Sequence, residues 1–458
     1  MVASMGMVFI ALSQIADTFG VTLRSASWVV IVQGLTISAF MLPMGRLADI
    51  IGRKKVHLIG LTLFATGSVF TSLAPTFGLL IAARIFTAIG NSMGQSVGTA
   101  MVLSVFPAHE RGKAIGAQTT SVAIGGALGP VIAGIILQFM AWQSLFLLLT
   151  IPIGIAFVAG YFILDEKIVS QQRTGERPSF DWVGAIVSGL TIIVVVVLIN
   201  NPFGVPIISP LILGGAVSAV ALFALFVWWE LNSNAPMLQL RMFKNLMFSM
   251  AIGTRFLGFL GTTTVRFLMP IYLISLRDIQ EAAAGGILFV TSLGMAVAAS
   301  SSGRMGDKIG ERPFTIVGFA LLVATAIGFM LFTSETPFWV IMVVLLFNGL
   351  AMGLWGVPNN STILGSVDKE SFGVVGALTN LTRNVGNVAG QAIASAVVVG
   401  VMVADGFDIP LSDITGNKAA SDSFMNGWRF AYILVTVFSL MGLALAILTK
   451  PTRPDQSK

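Results

Sequence analysis

Gly45-Arg46-Leu47-Ala48-Asp49-Ile50-Ile51-Gly52-Arg53 returns about 258 positions later as Gly303-Arg304-Met305-Gly306-Asp307-Lys308-Ile309-Gly310-Glu311. Each copy sits between two long apolar segments and reads as a short basic turn joining two membrane helices. A phrase repeated at that distance means two related helical bundles joined in tandem.

Composition confines the chain to a membrane. Hydrophobic residues make up 55% and charged residues 10% of the 458 positions, whereas a soluble domain carries roughly 25% charged residues. The net charge of +6 falls in short turns between apolar runs, with no basic domain or aromatic RNA-binding motif, so nucleic acid is not a partner. Cysteine is absent and only His57 and His109 are available, which removes disulfides, thiol catalysis and Cys/His metal sites. No serine–histidine–aspartate set or phosphate-binding glycine loop is visible, so an enzyme is not expected.

A window of about 19 residues, enough to cross roughly 30 Å of hydrocarbon, predicts fourteen spans. They lie near 1–16, 26–46, 54–74, 77–104, 114–137, 141–163, 182–200, 207–229, 247–273, 283–302, 313–333, 336–360, 375–403 and 427–449. Basic residues such as Arg53, Lys54, Lys55, Arg111, Lys113, Arg241, Lys244, Lys308 and Arg312 gather in connections on one side, which puts both termini in the cytoplasm. The polar stretch 165–180 reads as a cytoplasmic linker and 405–426 as a mobile outer cap. The first span is short for a crossing, which implies an upstream start or a truncated helix; it lacks the basic leader of a signal peptide.

Several positions carry charge or polarity where a span should be apolar. Asp49, four residues before Arg53, can latch to an arginine or cap a neighbouring helix, and Gly45 and Gly52 permit a tight turn. The second copy, around Asp307, has Glu311 in place of Arg53, so its latch is wired differently. Against these gating roles stands an ordinary solvated loop. Gly125, Gly129, Pro130 and Gly134 make a helix able to bend and to accept a close neighbour, or one that is only tightly packed. Arg84 is isolated among apolar residues, and an arginine at membrane depth turns inward. Arg255 and Arg266 are three turns apart with Phe259 and Thr262 on the same stripe, a pattern that attracts an anionic or zwitterionic group. Alternatively, Arg266 snorkels outward while Arg255 makes a structural contact. Asn380, Asn384, Asn387 and Gln391 recur at i, i+4, i+7 and i+11 with Arg383 beside them, as pathway lining or as interhelical glue.

On these residues the chain resembles the major facilitator superfamily, and its fourteen spans make it similar to the drug:proton antiporter branch containing multidrug exporters. Gly45 to Lys55 resembles the family's loop motif, Ala83-Arg84-Ile85 its fourth-helix arginine motif, and Gly125, Gly129-Pro130 and Gly134 its fifth-helix antiporter motif. Ser27-Trp28-Val29-Val30, Met269-Pro270-Ile271-Tyr272-Leu273 and Thr382-Arg383-Asn384-Val385-Gly386 follow in family order. The resemblance implies an all-α integral membrane fold of two pseudo-symmetric six-helix bundles, 1–163 and 245–458. Residues 164–244 would hold linkers and two inserted spans. It implies alternating access by rocking of the bundles, a proton-transfer role for Arg84, and export as the direction favoured by the fifth-helix glycines. Ala133 stands where the family tends to have glycine, and Thr87-Ala88 replaces its usual glutamine and glycine. Cation exporters of this branch carry an acidic residue in the first helix, followed nine positions on by proline; Ser4 and Ser13 stand there.

The sequence therefore predicts a secondary transporter, exporting amphiphilic organic molecules or drugs. Neutral or anionic metabolites or lipids are the alternative cargo, and a non-transporting receptor or scaffold is the reading from another class. The expected partners are the bilayer and a small molecule, the chain is expected to be monomeric in a bacterial inner membrane, and no cofactor is expected beyond an ion gradient, with the proton as candidate ion.

Overall fold

The computed structural model describes residues 2–21, 23–107, 110–169, 180–200, 209–233, 236–367, 371–407, 414 and 417–449. Helices follow one another as α1 (Val2–Phe19), α2 (Leu23–Ala26), α3 (Trp28–Ile51), α4 (Arg53–Ser72), α5 (Phe77–Val105), α6 (Arg111–Leu137), α7 (Gln143–Ile163) and α8 (Glu166–Val169). They continue as α9 (Trp182–Asn200), α10 (Pro210–Asn232), α11 (Leu246–Ile271), α12 (Glu281–Ile309), α13 (Arg312–Met330), α14 (Phe338–Gly365), α15 (Phe372–Ala404) and α16 (Lys418–Leu448). Starts are set by local chemistry: Ser209 Oγ accepts from Ile212 N at 3.3 Å ahead of Pro210, and Asn417 Oδ1 accepts from Ala420 N at 3.2 Å.

Twelve helices among the described residues are long and apolar enough to cross a membrane, against the fourteen predicted. The two long helices outside that set are α1, of 18 residues, and α4, whose first turns carry Arg53, Lys54, Lys55 and His57 and dilute its hydropathy. Two boundaries differ with consequence. Helix α3 runs to Ile51 and α12 to Ile309, past the predicted ends near 46 and 302, so Asp49, Arg304 and Asp307 occupy helical turns beyond those ends. The turn itself is one glycine: Gly52 at φ +107° and its counterpart Gly310 at φ +94°, a backbone region that L side chains rarely adopt. Helix α16 begins at Lys418, so part of the predicted outer cap is helix; 408–413, 415 and 416 lie outside the described residues, as does 170–179 of the predicted linker.

The chain forms two compact units. Unit 1 comprises Met1–Pro107, Leu128–Asn245 and Val367–Asn384, and unit 2 comprises Ala108–Ala127, Leu246–Ser366 and Val385–Lys458. Helices α6 and α15 are thus each divided in mid-span. In unit 1, Trp142, Phe146 and Leu149 pack with Met7, Val8 and Ala11, while Ala48, Val56, Met93 and Val97 pack at the end carrying Asp49. Unit 2 is centred on Tyr272, Phe329, Trp428 and Tyr432, with Phe319 and Trp355 as a second nucleus. Large apolar side chains such as Phe162, 78% exposed, cover the outside. Lipid tails are as apolar as leucine, so cohesion comes from close backbone approach rather than from withdrawal of apolar surface from water.

Candidate functional site

The last turn of α3 aims Asp49 at the start of α15, within unit 1. Asp49 Oδ2 accepts from Val374 N at 3.2 Å, and Oδ1 accepts from Arg53 Nη2 at 3.2 Å, with both side chains about 95% buried. Arg53 also donates to Val169 O of α8 at 3.5 Å. The carboxylate therefore satisfies a helix N-terminus, where peptide dipoles leave N–H groups and partial positive charge, and an arginine at once. Two glycines make this possible. A Cβ on Gly45 would lie 2.6 Å from Ala377 Cβ and 3.1 Å from Gly373 O, and a Cβ on Gly373 would fall on the Asp49 carboxylate. Gly45 thus serves close helix approach rather than the predicted turn, which Gly52 alone makes.

The second copy builds the corresponding contact inside unit 2. Asp307 Oδ1 accepts from Gly112 N at 2.7 Å and Oδ2 from Lys113 N at 2.8 Å, at the start of α6. A Cβ on Gly112 would lie 2.5 Å from Gly303 O and 2.7 Å from Asp307 Oδ1. Below it α6 and α12 run together through small residues, with a Cβ on Gly116 lying 2.6 Å from Ala299 O and Thr120 Oγ1 donating to Ala296 O at 3.2 Å. Farther along α6, Gly125 and Gly134 would carry a Cβ with nothing within 4 Å. At these two glycines no neighbour comes within that distance among the described residues. Gly129 is buried within the same unbroken helix, and the side chain of Pro130 lies outside the described set.

Arg84 is fully buried on α5 and turns inward as expected. It donates to Gln33 Oε1 and, at 3.5 Å, to Val29 O, and its guanidinium lies 5.2 Å from the Phe146 ring centroid. Its Nη1, together with Gln33 Nε2 and Asn91 Nδ2, has no protein acceptor among the described residues. Ser4 is also fully buried, in the first helix of this unit.

The amide stripe of α15 divides. Asn380 Nδ2 donates to Gln95 O at 3.0 Å, Arg383 Nη2 to Gln95 Oε1 at 2.8 Å, and Gln95 Nε2 to Asn91 Oδ1 at 3.0 Å, all in unit 1. Asn387 accepts from Thr263 Oγ1 of α11 at 2.5 Å in unit 2. Asn384, half-buried, and Gln391, exposed, make no side-chain hydrogen bond among the described residues. Asn380 and Asn387 thus join helices.

In α11 the arginine stripe faces α14. Arg255, 6% exposed, lies 5.1 Å from the centroid of Phe259, whose ring meets Trp355 edge-on at 5.1 Å. Thr262 turns back on its own helix, donating to Gly258 O at 2.9 Å. Arg266 is exposed, and its contact is the Met352 sulfur at 4.0 Å. The result is a face with two cations, an aromatic pair and hydroxyl and amide groups. Among the described residues, no carboxylate lies in the middle of a span of either unit.

Sequence reading missed Gln33, Asn91, Gln95, Gly112, Gly373 and Trp355. One signal was present: Arg84, Thr87, Asn91 and Gln95 recur at i, i+3, i+7 and i+11, which places them on one helix face as the α15 stripe is. The glycines had none, because their partners lie hundreds of positions away.

The sequence matches the Major Facilitator Superfamily over residues 1–391. It is 31% identical to the riboflavin transporter RibZ of Clostridioides difficile across 84% of this chain and 83% of that protein. It is 26% identical to the multidrug resistance protein Stp of Mycobacterium tuberculosis across 85% and 72%. In fold it is similar to the proton:xylose symporter XylE, with a TM-score of 0.64 at 14% identity, covering 99% of this chain and 95% of that one. The human organic anion transporter MFSD10 gives a TM-score of 0.63 at 16% identity, covering 95% and 88%. With a family match over residues 1–391 and a carboxylate capping a helix start within each unit, the chain belongs to the major facilitator superfamily, as a membrane transporter.

Proposed function

We propose that this transporter exports amphiphilic organic molecules, neutral or anionic rather than cationic, by alternating access. The observation that carries the reading is the charge of the spans: Arg84, Arg255, Arg266 and Arg383 lie within them, and no described carboxylate sits in mid-span. A lipophilic cation gains nothing from such surroundings, whereas an anion gains charge-assisted hydrogen bonds and a planar neutral molecule gains ring contacts. The Phe259–Trp355 pair beside Arg255 supplies ring faces. A riboflavin transporter and a multidrug resistance protein among the relatives are in keeping with an aromatic, amphiphilic cargo.

Asp49 and Asp307 act as the cytoplasmic latches. Asp49 belongs to the first half of the sequence and caps a helix of the second half, and Asp307 does the reverse. Closing one face of a transporter requires such bonds, and opening it requires breaking them. The test is uptake into inside-out vesicles of matched cationic, anionic and neutral amphiphiles, with and without a pH gradient. Accumulation of anionic and neutral probes is expected. Strong transport of cations with none of the anions would refute the charge assignment.

A further inference from the structure

Among the described residues of unit 1, no acid neutralises Arg84. Arg84 of α5 and Gln33 of α3 are both fully buried, beside apolar core residues that include Val29 and Phe146. A guanidinium keeps its proton in a protein, so the charge is permanent. Two acceptors reach it, Gln33 Oε1 and, at 3.5 Å, Val29 O, and both belong to neutral groups. The Phe146 ring, 5.2 Å away, offers a quadrupole and no net charge. The carboxylate of Asp49 is engaged by Arg53, and Asp17, near the end of α1, is exposed. A cation withdrawn from water into apolar surroundings needs a counter-charge.

The hydrogen bonds around Arg84 indicate what kind of group supplies it. Arg84 Nη1 and Gln33 Nε2 are buried donors with no acceptor among the described residues. They belong to two side chains already joined through Arg84 Nη2 and Gln33 Oε1, so they share one locus. That bond also fixes the amide: with Oε1 toward the guanidinium, the remaining corner of Gln33 is N–H rather than C=O. A third such donor, Asn91 Nδ2, lies two turns along the same face of α5. The excess is therefore all of one kind. A water would bring two further donors into it and no charge, whereas an anion brings acceptors alone.

We infer that Arg84 and Gln33 form a binding site for a compact monovalent anion, which serves as the counter-ion of Arg84 inside unit 1. One negative charge balances one guanidinium, and complete burial selects a halide or a small carboxylate over a bulky or divalent ion. Chloride and the carboxylate end of an anionic cargo offer the same chemistry here. The site does not rest on the cargo reading above, because it is defined by the permanent charge of Arg84 and is tested without cargo.

The test uses the full-length chain in phosphatidylcholine nanodiscs, exchanged into gluconate at constant ionic strength. Radiolabelled chloride is expected to bind saturably, one per chain, and to be displaced by bromide and formate but not by gluconate or sulfate. The thermal unfolding midpoint, followed by tryptophan fluorescence, should climb by about 1–3 °C for each tenfold rise in chloride above Kd. Arg84→Gln is expected to abolish both effects. Should that variant fail to fold, Gln33→Glu gives a second answer: its carboxylate supplies the counter-charge from within the chain, so it should bind no chloride and unfold at a temperature indifferent to chloride. A native chain that binds neither chloride nor formate, or chloride binding that survives in Arg84→Gln or is undiminished in Gln33→Glu, overturns the proposal. Displacement of chloride by an anionic amphiphile and not by its neutral match would assign the site to both sources. Chloride held against both would assign it to the inorganic ion alone. Failure of chloride and formate to bind leaves the vesicle assay to judge the cargo independently.

Discussion

Asp49→Asn keeps the shape of the latch and removes its charge. An asparagine oxygen can still accept from Val374 N, now at 3.2 Å, but it forfeits the ion pair with Arg53, also at 3.2 Å, and the attraction to the α15 N-terminus. A charge at a partly buried helix end contributes up to about 2 kcal/mol, and hydrogen bonds to charged groups about 1.5–3 kcal/mol against about 1 kcal/mol for neutral ones. Exposure of only about 5% on either partner leaves little room for water to compensate. The closed state should lose about 2–3 kcal/mol, a factor of about 30–150 in its population relative to the open one. Rates of cytoplasmic maleimide labelling at Ser96→Cys, a buried α5 position in a chain without native cysteine, should rise by that factor, while net transport falls and the protein stays in the membrane. Labelling and transport rates equal to those with aspartate would refute the latch.

Gly373→Ala should reproduce the Asp49→Asn phenotype, since its methyl would occupy the carboxylate's place, whereas Gly365→Ala, with nothing within 4 Å of its Cβ, should transport normally; equal behaviour of the two in labelling assays would contradict the geometry. Arg255→Ala should weaken binding of an anionic substrate by about 10–150-fold, equivalent to about 1.5–3 kcal/mol, and of a neutral one far less; binding titrations showing equal losses would mark Arg255 as purely structural. Arg84 stays protonated at physiological pH and Ser4 replaces the carboxylate of cation exporters, so an imposed pH gradient should not drive accumulation of a non-ionisable substrate. Proton-driven accumulation in that flux assay would reveal a relay elsewhere in the chain.

The helices were legible because a bilayer imposes length and hydropathy on consecutive residues. The starts at Phe77 and Trp182 lie where sequence placed them. The extension of α3 to Ile51 and of α12 to Ile309 was not legible, because charged last turns read like loops until their partners are known. Asp49 stood out by its repetition at Asp307. The two objects those carboxylates cap, Val374 N and the Gly112–Lys113 pair, did not. Glycine 45 shows the limit: beside a turn motif it reads as a turn residue, yet Ala377 and Gly373 decide its role.

By itself the sequence determined that this is a membrane protein of two related bundles with the same charged phrase at matching helix ends, because solvent, lipid and helix length act on each segment locally. Tertiary structure alone decided that the amides of α15 divide between α5 and α11 and that Arg84 rests on Gln33 and Phe146. Those pairings depend on which helix faces meet across long stretches of chain, and a helix's own periodicity fixes which residues share a face without fixing what that face touches.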